Sequence, residues 1–342
     1  MGQDMDLSLD FVKDTSSFER SDELQYIIQS KIESQKNILG LIIIQNGTII
    51  SESYYNGSSK ESIRNIYSVT KSYMSTLIGQ AIDKDIMYNV DSSFSKFIPK
   101  KIIDYVDSLT LHDILSLSSG LKDRYQYPSY INQPIDSLLS VELINPGKFQ
   151  YSNSATHLNA HALFYASEMT PHQFASRYLF PYLGIEEPRW DHGYLNINDG
   201  ATNLYLNLRD MVKLGQLYIQ NGYSGSNQIL STEWIHKATK SQVSTDYVND
   251  PSYSSIYKMI AKLVGFYLPS GYGYLWWIPE IEDSFLAMGY GGQFILVVPK
   301  YNLVIGTQSL LANKFYLNML QSNRLLKTIL YDLVPLFSSG DS

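Results

Sequence analysis

A serine and a lysine stand three residues apart in the stretch NIYSVTKSYMSTLIGQAI, residues 65 to 82. Residues at this spacing lie on one side of a helical turn, so Ser68 and Lys71 are expected to face each other. A serine hydroxyl is a weak nucleophile until a neighbour accepts its proton, and a lysine that burial has made neutral can do so. Backbone N–H groups at a helix start would stabilise the developing negative charge. The pair therefore predicts a nucleophile and its base.

The spacing alone does not distinguish this pair, because Ser-x-x-Lys recurs at Ser93/Lys96, Ser119/Lys122 and Ser255/Lys258. At those sites a capping or surface serine beside a solvated lysine is the simpler interpretation. Only the first pair follows a polar, strand-like segment and begins a long amphipathic helix. The predicted buried stripe of that helix is Met74, Leu77, Ile78, Ala81 and Ile82.

Two further stretches place polar residues or glycines where a site would need them. In NPGKFQYSNSATHLNAHALFYA, residues 145 to 166, Tyr151 and Asn153 follow a Pro-Gly turn and precede a helical pattern. In AMGYGGQFILVVP, residues 287 to 299, the glycines at 289, 291 and 292 interrupt a β-rich run. Such glycines indicate either a close approach to the backbone or a bulge in an edge strand.

Composition excludes several classes of protein. The formal net charge of the 342 residues is −7, and no run of Lys and Arg is long enough to neutralise a row of phosphates, so nucleic acid is not an expected partner. The longest apolar runs, such as LGLIII at 39 to 44, are far shorter than the roughly 20 residues of a transmembrane helix. The absence of cysteine excludes disulfides, thiolate metal sites and a cysteine nucleophile.

The first eleven residues lack the basic start and apolar stretch of a secretory signal. We therefore expect either a cytoplasmic protein or one whose signal has been removed.

The elements that must position these residues follow from local patterns. Residues 21 to 35 predict a helix with Ser21 as its N-cap, and two β-rich runs joined by Asn46-Gly47 predict a hairpin. Residues 271 to 280, 285 to 299 and 303 to 310 predict three more strands, and residues 312 to 333 a final helix. The middle, residues 68 to 240, is mostly helical in period.

Strands at both chain ends with helices between them predict an α+β fold, in which the terminal segments share one antiparallel sheet. We expect a single catalytic unit over residues 5–338. One lobe comprises residues 5–67 and 262–338, with the sheet and the terminal helices, and the other is a mostly helical insertion at residues 68–261. The cleft between the lobes is the expected ligand site.

In this order and at these separations, the three stretches resemble the serine β-lactamase and penicillin-recognising superfamily. The similarity is to its class C-like branch, which includes DD-peptidases, esterases and 6-aminohexanoate-dimer hydrolases, and it runs from about residue 38 to residue 310. Supporting phrases are LTLHDILSLSSGL at 109 to 121, LFPYLGI at 179 to 185, LNLRDMVKLGQLYIQNG at 206 to 222 and GYGYLWW at 271 to 277.

The resemblance implies a role for each site residue and no cofactor. Ser68 would be the acylated nucleophile and Lys71 its proton acceptor. Tyr151 would be a second base that passes the proton to the leaving group, and Asn153 would orient Lys71 and the substrate. The backbone N–H groups of Ser68 and Tyr290 would form the oxyanion hole. Because Lys and Tyr have similar pKa values near 10, and a cation lowers that of Tyr, a proton would move easily between them.

The third motif departs from the β-lactamase pattern. Where those enzymes carry Lys-Thr-Gly, this chain has Ala287-Met288-Gly289, so the cation that helps to hold a substrate carboxylate is missing. The 6-aminohexanoate-dimer hydrolases and several esterases show a similar apolar pattern. We therefore expect hydrolysis of a small-molecule ester or amide, with a penicillin-binding protein, DD-peptidase or β-lactamase as the alternative. The resemblance favours an extracytoplasmic location if a signal was removed.

Substrate contacts are expected from Gly289, Gly291 and the loop DRYQYPSYINQP at 123 to 134, together with Trp190. Tyr125 in that loop would line the cleft, and Arg124 would recognise a carboxylate in place of the missing lysine. Simple surface packing is the other interpretation of these loop residues.

Rival functions are less well supported by the sequence. The lipase pattern G-x-S-x-G is absent, which argues against an α/β-hydrolase. His157 and His161 stand four apart on a predicted helix, but no glutamate lies between them and no third metal ligand is evident, so no metal is expected. A non-catalytic binding module on the same fold is the rival from another class. Oligomeric state stays open.

Overall fold

Strands from both ends of the chain join in one antiparallel sheet, as the sequence predicts. The computed structural model describes residues 20–99, 108–123, 128–245 and 267–338. Its strands are β1 Ile38–Gln45, β2 Thr48–Tyr54, β3 Arg64–Asn65, β4 Tyr205–Leu206, β5 Tyr223–Ser224, β6 Asn227–Gln228, β7 Val243–Ser244, β8 Gly271–Tyr272, β9 Trp277–Ile278, β10 Phe285–Gly289, β11 Gln293–Val298 and β12 Leu303–Ser309.

Helices fill most of the middle of the chain. They are α1 Ser21–Ile27, α2 Thr70–Asp83, α3 Leu111–Leu115, α4 Ile135–Leu139, α5 Asn153–Ser167, α6 Pro171–Tyr178, α7 Leu208–Ile219, α8 Thr232–Ala238 and α9 Phe315–Thr328. Short 3-10 turns span Tyr67–Val69, Phe94–Phe97, Ser129–Asn132, Pro181–Leu183, Tyr194–Asn196, Pro299–Tyr301 and Val334–Phe337. Wider π-helical turns continue α1 at Ile28–Ile32 and α9 at Ile329–Leu333. No described helix is both long enough and apolar enough to cross a bilayer.

Within the described residues the main sheet has eight strands in the order β2-β1-β12-β11-β10-β9-β8-β7, and each paired neighbour is antiparallel. The predicted α+β fold is thus confirmed. The β1–β2 hairpin turns at Asn46 and Gly47, whose φ angles are 51° and 76°. Both positive values suit the tight hairpin turn that an Asn-Gly pair favours.

Two of the predicted strands are interrupted by turns. Residues 271–280 form β8 and β9 rather than one strand, because Leu275 adopts a φ of 61° and Gly273 N–H donates to the Trp276 carbonyl. Residues 285–299 form β10 and β11, which pair with each other across the turn that contains Gly291 and Gly292. These glycines therefore serve a hairpin inside the sheet and not a bulge in an edge strand.

The sheet also includes or contacts segments that lie within the predicted helical insertion at residues 68–261. Strand β7 pairs with β8 at the sheet end, and α7 packs on β11 and β12. A Cβ on Gly215 of α7 would lie 2.8 Å from Ile295 and Val304, so glycine allows the helix to approach closely. The expected boundary between two lobes is otherwise untested and stays a prediction.

Helix α2 differs from the predicted amphipathic helix because it is buried on all sides. Every residue from Thr70 to Ala81 is buried, including the polar ones. Among its polar side chains, Ser72 donates to the Leu275 carbonyl and Gln80 donates to the Tyr178 and Ile229 carbonyls. A small correction applies at the chain start, where Ser21 is the first residue of α1 and Arg20 occupies the cap position.

Candidate active site

The nucleophile candidate lies at the mouth of α2. A single 3-10 turn, Tyr67–Val69, leads directly into the helix, so Ser68 stands just before its first α-helical turn. The preceding residue, Tyr67, has a φ of 48°, a left-handed conformation that strains a bulky side chain. Its backbone N–H donates to Asn65 Oδ1 at 2.8 Å, which helps to hold this conformation. Ser68 itself is partly exposed, as a nucleophile must be.

The Lys71 amine lies among three oxygen atoms. Its Nζ is 3.2 Å from Ser68 Oγ, 2.7 Å from Asn153 Oδ1 and 3.0 Å from the Ala201 carbonyl. A neutral amine has two N–H bonds and one lone pair. The amide and carbonyl oxygens can only accept, so they take the two N–H groups and leave the lone pair for the Ser68 hydroxyl.

Burial adjusts the charge of this amine. The side chain of Lys71 is 1% exposed, and the loss of solvent lowers its pKa from 10.5 to about 7. The carboxylates of Asp199 and Asp123 act in the opposite direction and raise this pKa, but by less. A large fraction of Lys71 is therefore neutral near pH 7 and able to accept a proton.

Helix α5 brings the second pair of predicted residues to the same point. Ser152 caps the helix through a bond that its hydroxyl accepts from Ala155 N–H at 3.0 Å. Asn153 is then the first helical residue and its side chain reaches Lys71, so the expected contact is present. Tyr151 lies with its ring centroid 5.0 Å from the Lys71 amine, and Ser68 is near enough to its hydroxyl to affect its pKa.

An aromatic cluster fixes the Tyr151 ring. Trp277 of β9 stacks on it at 5.6 Å between ring centroids with an interplanar angle of 21°, and Phe149 packs at 6.5 Å. Burial raises the pKa of Tyr151 to about 12, although the nearby Ser68 hydroxyl acts in the opposite direction. The expectation that Lys71 and Tyr151 have similar pKa values near 10, with that of Tyr151 lowered, is therefore wrong. Loss of solvent disfavours the charged form of each group, so it lowers the pKa of a lysine, which is charged when protonated, and raises the pKa of a tyrosine, which is charged when deprotonated.

The third motif lies against the turn that carries Ser68. A Cβ on Gly289 would be 2.5 Å from the Ile66 carbonyl, which explains why only glycine fits at the end of β10. Tyr290 then begins the hairpin turn, with its ring 6.0 Å from that of Tyr67. Gly291, at φ 84°, packs against Leu311. The roles predicted for the Tyr290 N–H and for both glycines stay predictions.

Other predicted substrate residues are placed differently. Arg124 and Tyr125 lie outside the described residues. Trp190 is only 4% exposed, and its indole N–H donates to the Asp199 carbonyl at 2.8 Å. This side chain supports the loop around residue 199, and its contact with a substrate stays a prediction.

His157 and His161 are core residues. The rings are buried with centroids 4.9 Å apart, and His157 Nδ1 accepts from Gly200 N–H at 3.2 Å. Burial lowers the pKa of His157 to about 3. Among the described residues, no group of three or more His, Cys, Asp or Glu side chains is arranged to hold a metal ion.

Sequence reasoning missed three contributors to the site. The Ala201 carbonyl is a backbone group, so no side-chain pattern could have indicated it. Asp199 lies in a loop whose importance depends on what folds against it. Trp277 belongs to the phrase GYGYLWW, which supported the resemblance, but its stacking on Tyr151 depends on strand pairing.

Comparison with known proteins agrees with this geometry. The model of the Beta-lactamase family matches residues 28–328, which is most of the chain. The chain therefore belongs to the Beta-lactamase family, and its fold is the one shared by β-lactamases and transpeptidases. Proteins of this family are generally hydrolases, which is consistent with a serine hydrolase.

Individual relatives are distant. An uncharacterized protein of Alkalihalophilus pseudofirmus is 22% identical over 300 residues, which cover 77% of this chain and 81% of the relative. A provisionally named β-lactamase from Bacteroides dorei has a TM-score of 0.74 at 19% identity, covering 94% of this chain and 100% of its own. A provisionally named 6-aminohexanoate-dimer hydrolase from Bacillus anthracis has a TM-score of 0.67 at 17% identity, and the match covers 92% of this chain and 81% of the hydrolase. At these identities the structural likeness shows the fold alone.

Proposed function

We propose that this protein is a serine hydrolase that acts through an acyl-enzyme on a small ester or amide. The observation that carries the proposal is the surroundings of the Lys71 amine. Two oxygens that can only accept hold its N–H groups, and the lone pair that remains faces Ser68 Oγ at 3.2 Å. Burial keeps much of this amine neutral near pH 7.

In the proposed first step, Ser68 Oγ attacks the substrate carbonyl while Lys71 accepts the hydroxyl proton. The backbone N–H groups of Ser68 and Tyr290 stabilise the oxyanion, at about 2.7–4 kcal/mol of barrier for one such donor. Tyr151, which its raised pKa keeps protonated, donates its hydroxyl proton to the leaving group as the bond between that group and the carbonyl carbon breaks, and the Lys71 ammonium returns a proton to Tyr151. In the second step neutral Lys71 accepts a proton from the water that attacks the acyl carbonyl. It passes this proton to Ser68 Oγ as the acyl–serine bond breaks, which releases the acid and restores the Ser68 hydroxyl.

The substrate near the reacting carbonyl is proposed to be apolar and uncharged. Position 287, where the penicillin-recognising relatives carry a cation, is Ala287 and is buried. Beside the turn of Ser68 lies an aromatic strip of Tyr67, Tyr290 and Phe315, in which Phe315 stacks on Tyr290 at 5.7 Å and is 61% exposed. Such rings favour alkyl or aryl substituents over a carboxylate.

Covalent labelling tests catalysis directly. A fluorophosphonate probe is expected to label the wild-type protein once, and Ser68→Ala should abolish labelling while the protein stays folded. Ser93→Ala is the matched control, because Ser93 has the same spacing to a lysine but accepts from Ser95 N–H as a turn cap. An unlabelled wild type would favour a non-catalytic binding module. Equal labelling of both variants would reject Ser68 as the nucleophile.

A substrate panel tests the proposed specificity. Hydrolysis of p-nitrophenyl butyrate without turnover of nitrocefin is expected, because the buried Ala287 offers no charge to a β-lactam carboxylate. The family description favours β-lactam hydrolysis as the second candidate. Efficient nitrocefin cleavage would establish that candidate and overturn our interpretation of position 287.

A further inference from the structure

Asp199 is a completely buried carboxylate outside the predicted catalytic set. Donors converge on both of its oxygens. Oδ1 accepts from Ala201 N–H at 2.9 Å and Thr202 N–H at 3.2 Å, and Oδ2 accepts from Thr202 Oγ1 and Asn203 Nδ2, both at 2.9 Å. The Tyr130 hydroxyl bonds to both, at 2.9 and 2.8 Å. Charge-assisted bonds of this kind are the strong ones, so they fix the loop from 199 to 203.

One arm of this network leads to the base. The bond from Ala201 N–H to Asp199 fixes the orientation of the residue whose own carbonyl accepts from Lys71 Nζ at 3.0 Å. A shift of the loop would therefore release one of the two acceptors that direct the lone pair of Lys71 towards Ser68.

The other arm leads to the nucleophile. Asn203, held by Asp199, accepts through Oδ1 from Asn65 Nδ2 at 2.8 Å, and Asn65 Oδ1 accepts from Tyr67 N–H at 2.8 Å. Tyr67 is the residue with a strained, positive φ directly before Ser68. A strained backbone of this type persists only where its surroundings hold it, at a cost of about 1–3 kcal/mol. The network thus ends on the hydrogen bond from Tyr67 N–H to Asn65 Oδ1, which helps to hold the positive φ of Tyr67.

We propose that Asp199 is a positioning residue that fixes Lys71 through Ala201 and the turn of Ser68 through Asn203 and Asn65. The inference rests on the proposed function, because it concerns the same two reacting groups. One buried carboxylate would thus hold the nucleophile and its base in position relative to each other. It would act on Lys71 through residue 201 and on the turn of Ser68 through residues 203 and 65.

The pKa of Lys71 is the measurable property that tests whether Asp199 acts on the site as well as anchoring the loop. The groups that act on the charge of Lys71 are the carboxylates of Asp199 and Asp123, together with the neutral ring of Tyr151. Replacing the Asp199 carboxylate by an amide removes one negative charge that favours the protonated amine. The pKa of Lys71 should then fall further. The acid limb of the pH profile, which is the range in which activity rises with pH as Lys71 loses its proton, should move to lower pH.

The test compares Asp199→Asn with wild type using p-nitrophenyl butyrate and fluorophosphonate labelling across the acid limb. We expect kcat to fall about tenfold or more, KM to change little, and the limb to move to lower pH. Asp191→Asn is the matched control, because Asp191 lies on the same segment but pairs with the exposed Arg189. It should leave kcat and the limb unchanged. An Asp199→Asn protein with wild-type kcat and an unmoved limb would overturn the proposal.

Two further measurements keep the test decisive if Asp199→Asn fails to fold or if the proposed function fails. Asn65→Ala breaks only the arm to Tyr67, so it should slow labelling of Ser68 without moving the acid limb, and labelling at the wild-type rate would overturn that arm. Isotope-edited NMR of the Lys71 side chain in Ser68→Ala needs no catalysis. Adding Asp199→Asn should lower the pKa of Lys71 there, and an unchanged titration would count against Asp199 even in an inactive protein.

Discussion

At the scale of single residues, the pKa of Lys71 results from two opposing effects. Burial removes the water that would solvate an ammonium ion, while the carboxylates of Asp199 and Asp123 favour it. Burial is the larger effect, and the pKa falls to about 7 instead of remaining near 10.5. A lysine left at its usual value would be almost fully protonated at neutral pH, and its lone pair would not be available.

This balance predicts the pH dependence of catalysis. Protonated Lys71 cannot accept the Ser68 proton, so kcat/KM should rise as pH increases through about 7 and then level off. Lys71→Ala should lower kcat by roughly 100-fold or more and remove this rise, since a general base typically contributes that much. Lys96→Ala, which removes a lysine at the same spacing from Ser93, is the control and should behave as wild type. A flat wild-type profile around neutral pH would exclude Lys71 as the base.

At the scale of elements, the contact between the end of β10 and the turn of Ser68 determines whether the proposed oxyanion donors meet. Gly289 allows this contact because any Cβ would press on the Ile66 carbonyl at 2.5 Å, and a backbone oxygen cannot rotate away as a side chain can. Gly40 in β1 is also tightly packed, but its nearest neighbour is the flexible end of Leu208 at 2.8 Å. Substitutions at these two glycines should therefore distinguish an effect on catalysis, at Gly289, from an effect on packing alone, at Gly40.

We expect Gly289→Ala to lower kcat/KM by roughly 100-fold, because a displacement of about 1 Å between reacting groups has effects of that size. Gly40→Ala should lower the thermal midpoint while activity per folded molecule stays near that of wild type. Circular dichroism melts and active-site titration with the fluorophosphonate probe distinguish these outcomes. Normal turnover by folded Gly289→Ala would show that the contact is not needed.

At the scale of the whole molecule, α7 joins the sheet to α2, the helix that carries Lys71, because the hydroxyls of Tyr218 in α7 and Thr76 in α2 are hydrogen-bonded at 3.0 Å. Its glycine approaches β11 and β12, and Arg209 near its start pairs with Glu52 of β2 through two bonds of 2.6 and 2.7 Å. The Glu52 side chain is only 7% exposed, whereas that of Arg209 is 36% exposed. Solvent therefore weakens the pair, but the loss of Arg209 would leave a nearly buried carboxylate without its cation.

Arg209→Met is expected to lower the free energy of unfolding by about 1–3 kcal/mol, the usual penalty for a buried group that loses its partner. Urea titration measures this change, and kcat should remain close to wild type because the pair is not part of the site. Arg189→Met is the matched control. Arg189 is 67% exposed beside Asp191, so its loss should change stability by less than about 1 kcal/mol. Equal effects of both substitutions would contradict this account.

Local sequence signals predicted much of the fold. The Asn46-Gly47 hairpin, the strand predicted at 303–310 and the helix predicted after Asn153 all depend on nearest neighbours in the chain, and the structure has them at 46–47, Leu303–Ser309 and Asn153–Ser167. Errors arose where a turn inside a β-rich run has no strong marker, as at Leu275, and where burial depends on distant segments, as for α2. The placing of strands at both chain ends predicted that the terminal segments share one antiparallel sheet, whereas the order of its strands came only from the structure.

By itself, the sequence determined which groups can react: a serine and a lysine one turn apart, and a tyrosine and an asparagine at the start of a second helix. Only the tertiary structure decided how they are tuned. The amine of Lys71 loses its water to segments more than a hundred residues away, and the Ala201 carbonyl and the Asp199 carboxylate come from one of them. Spacing along a helix is a local property, whereas the pKa of a buried group depends on everything that excludes solvent from it.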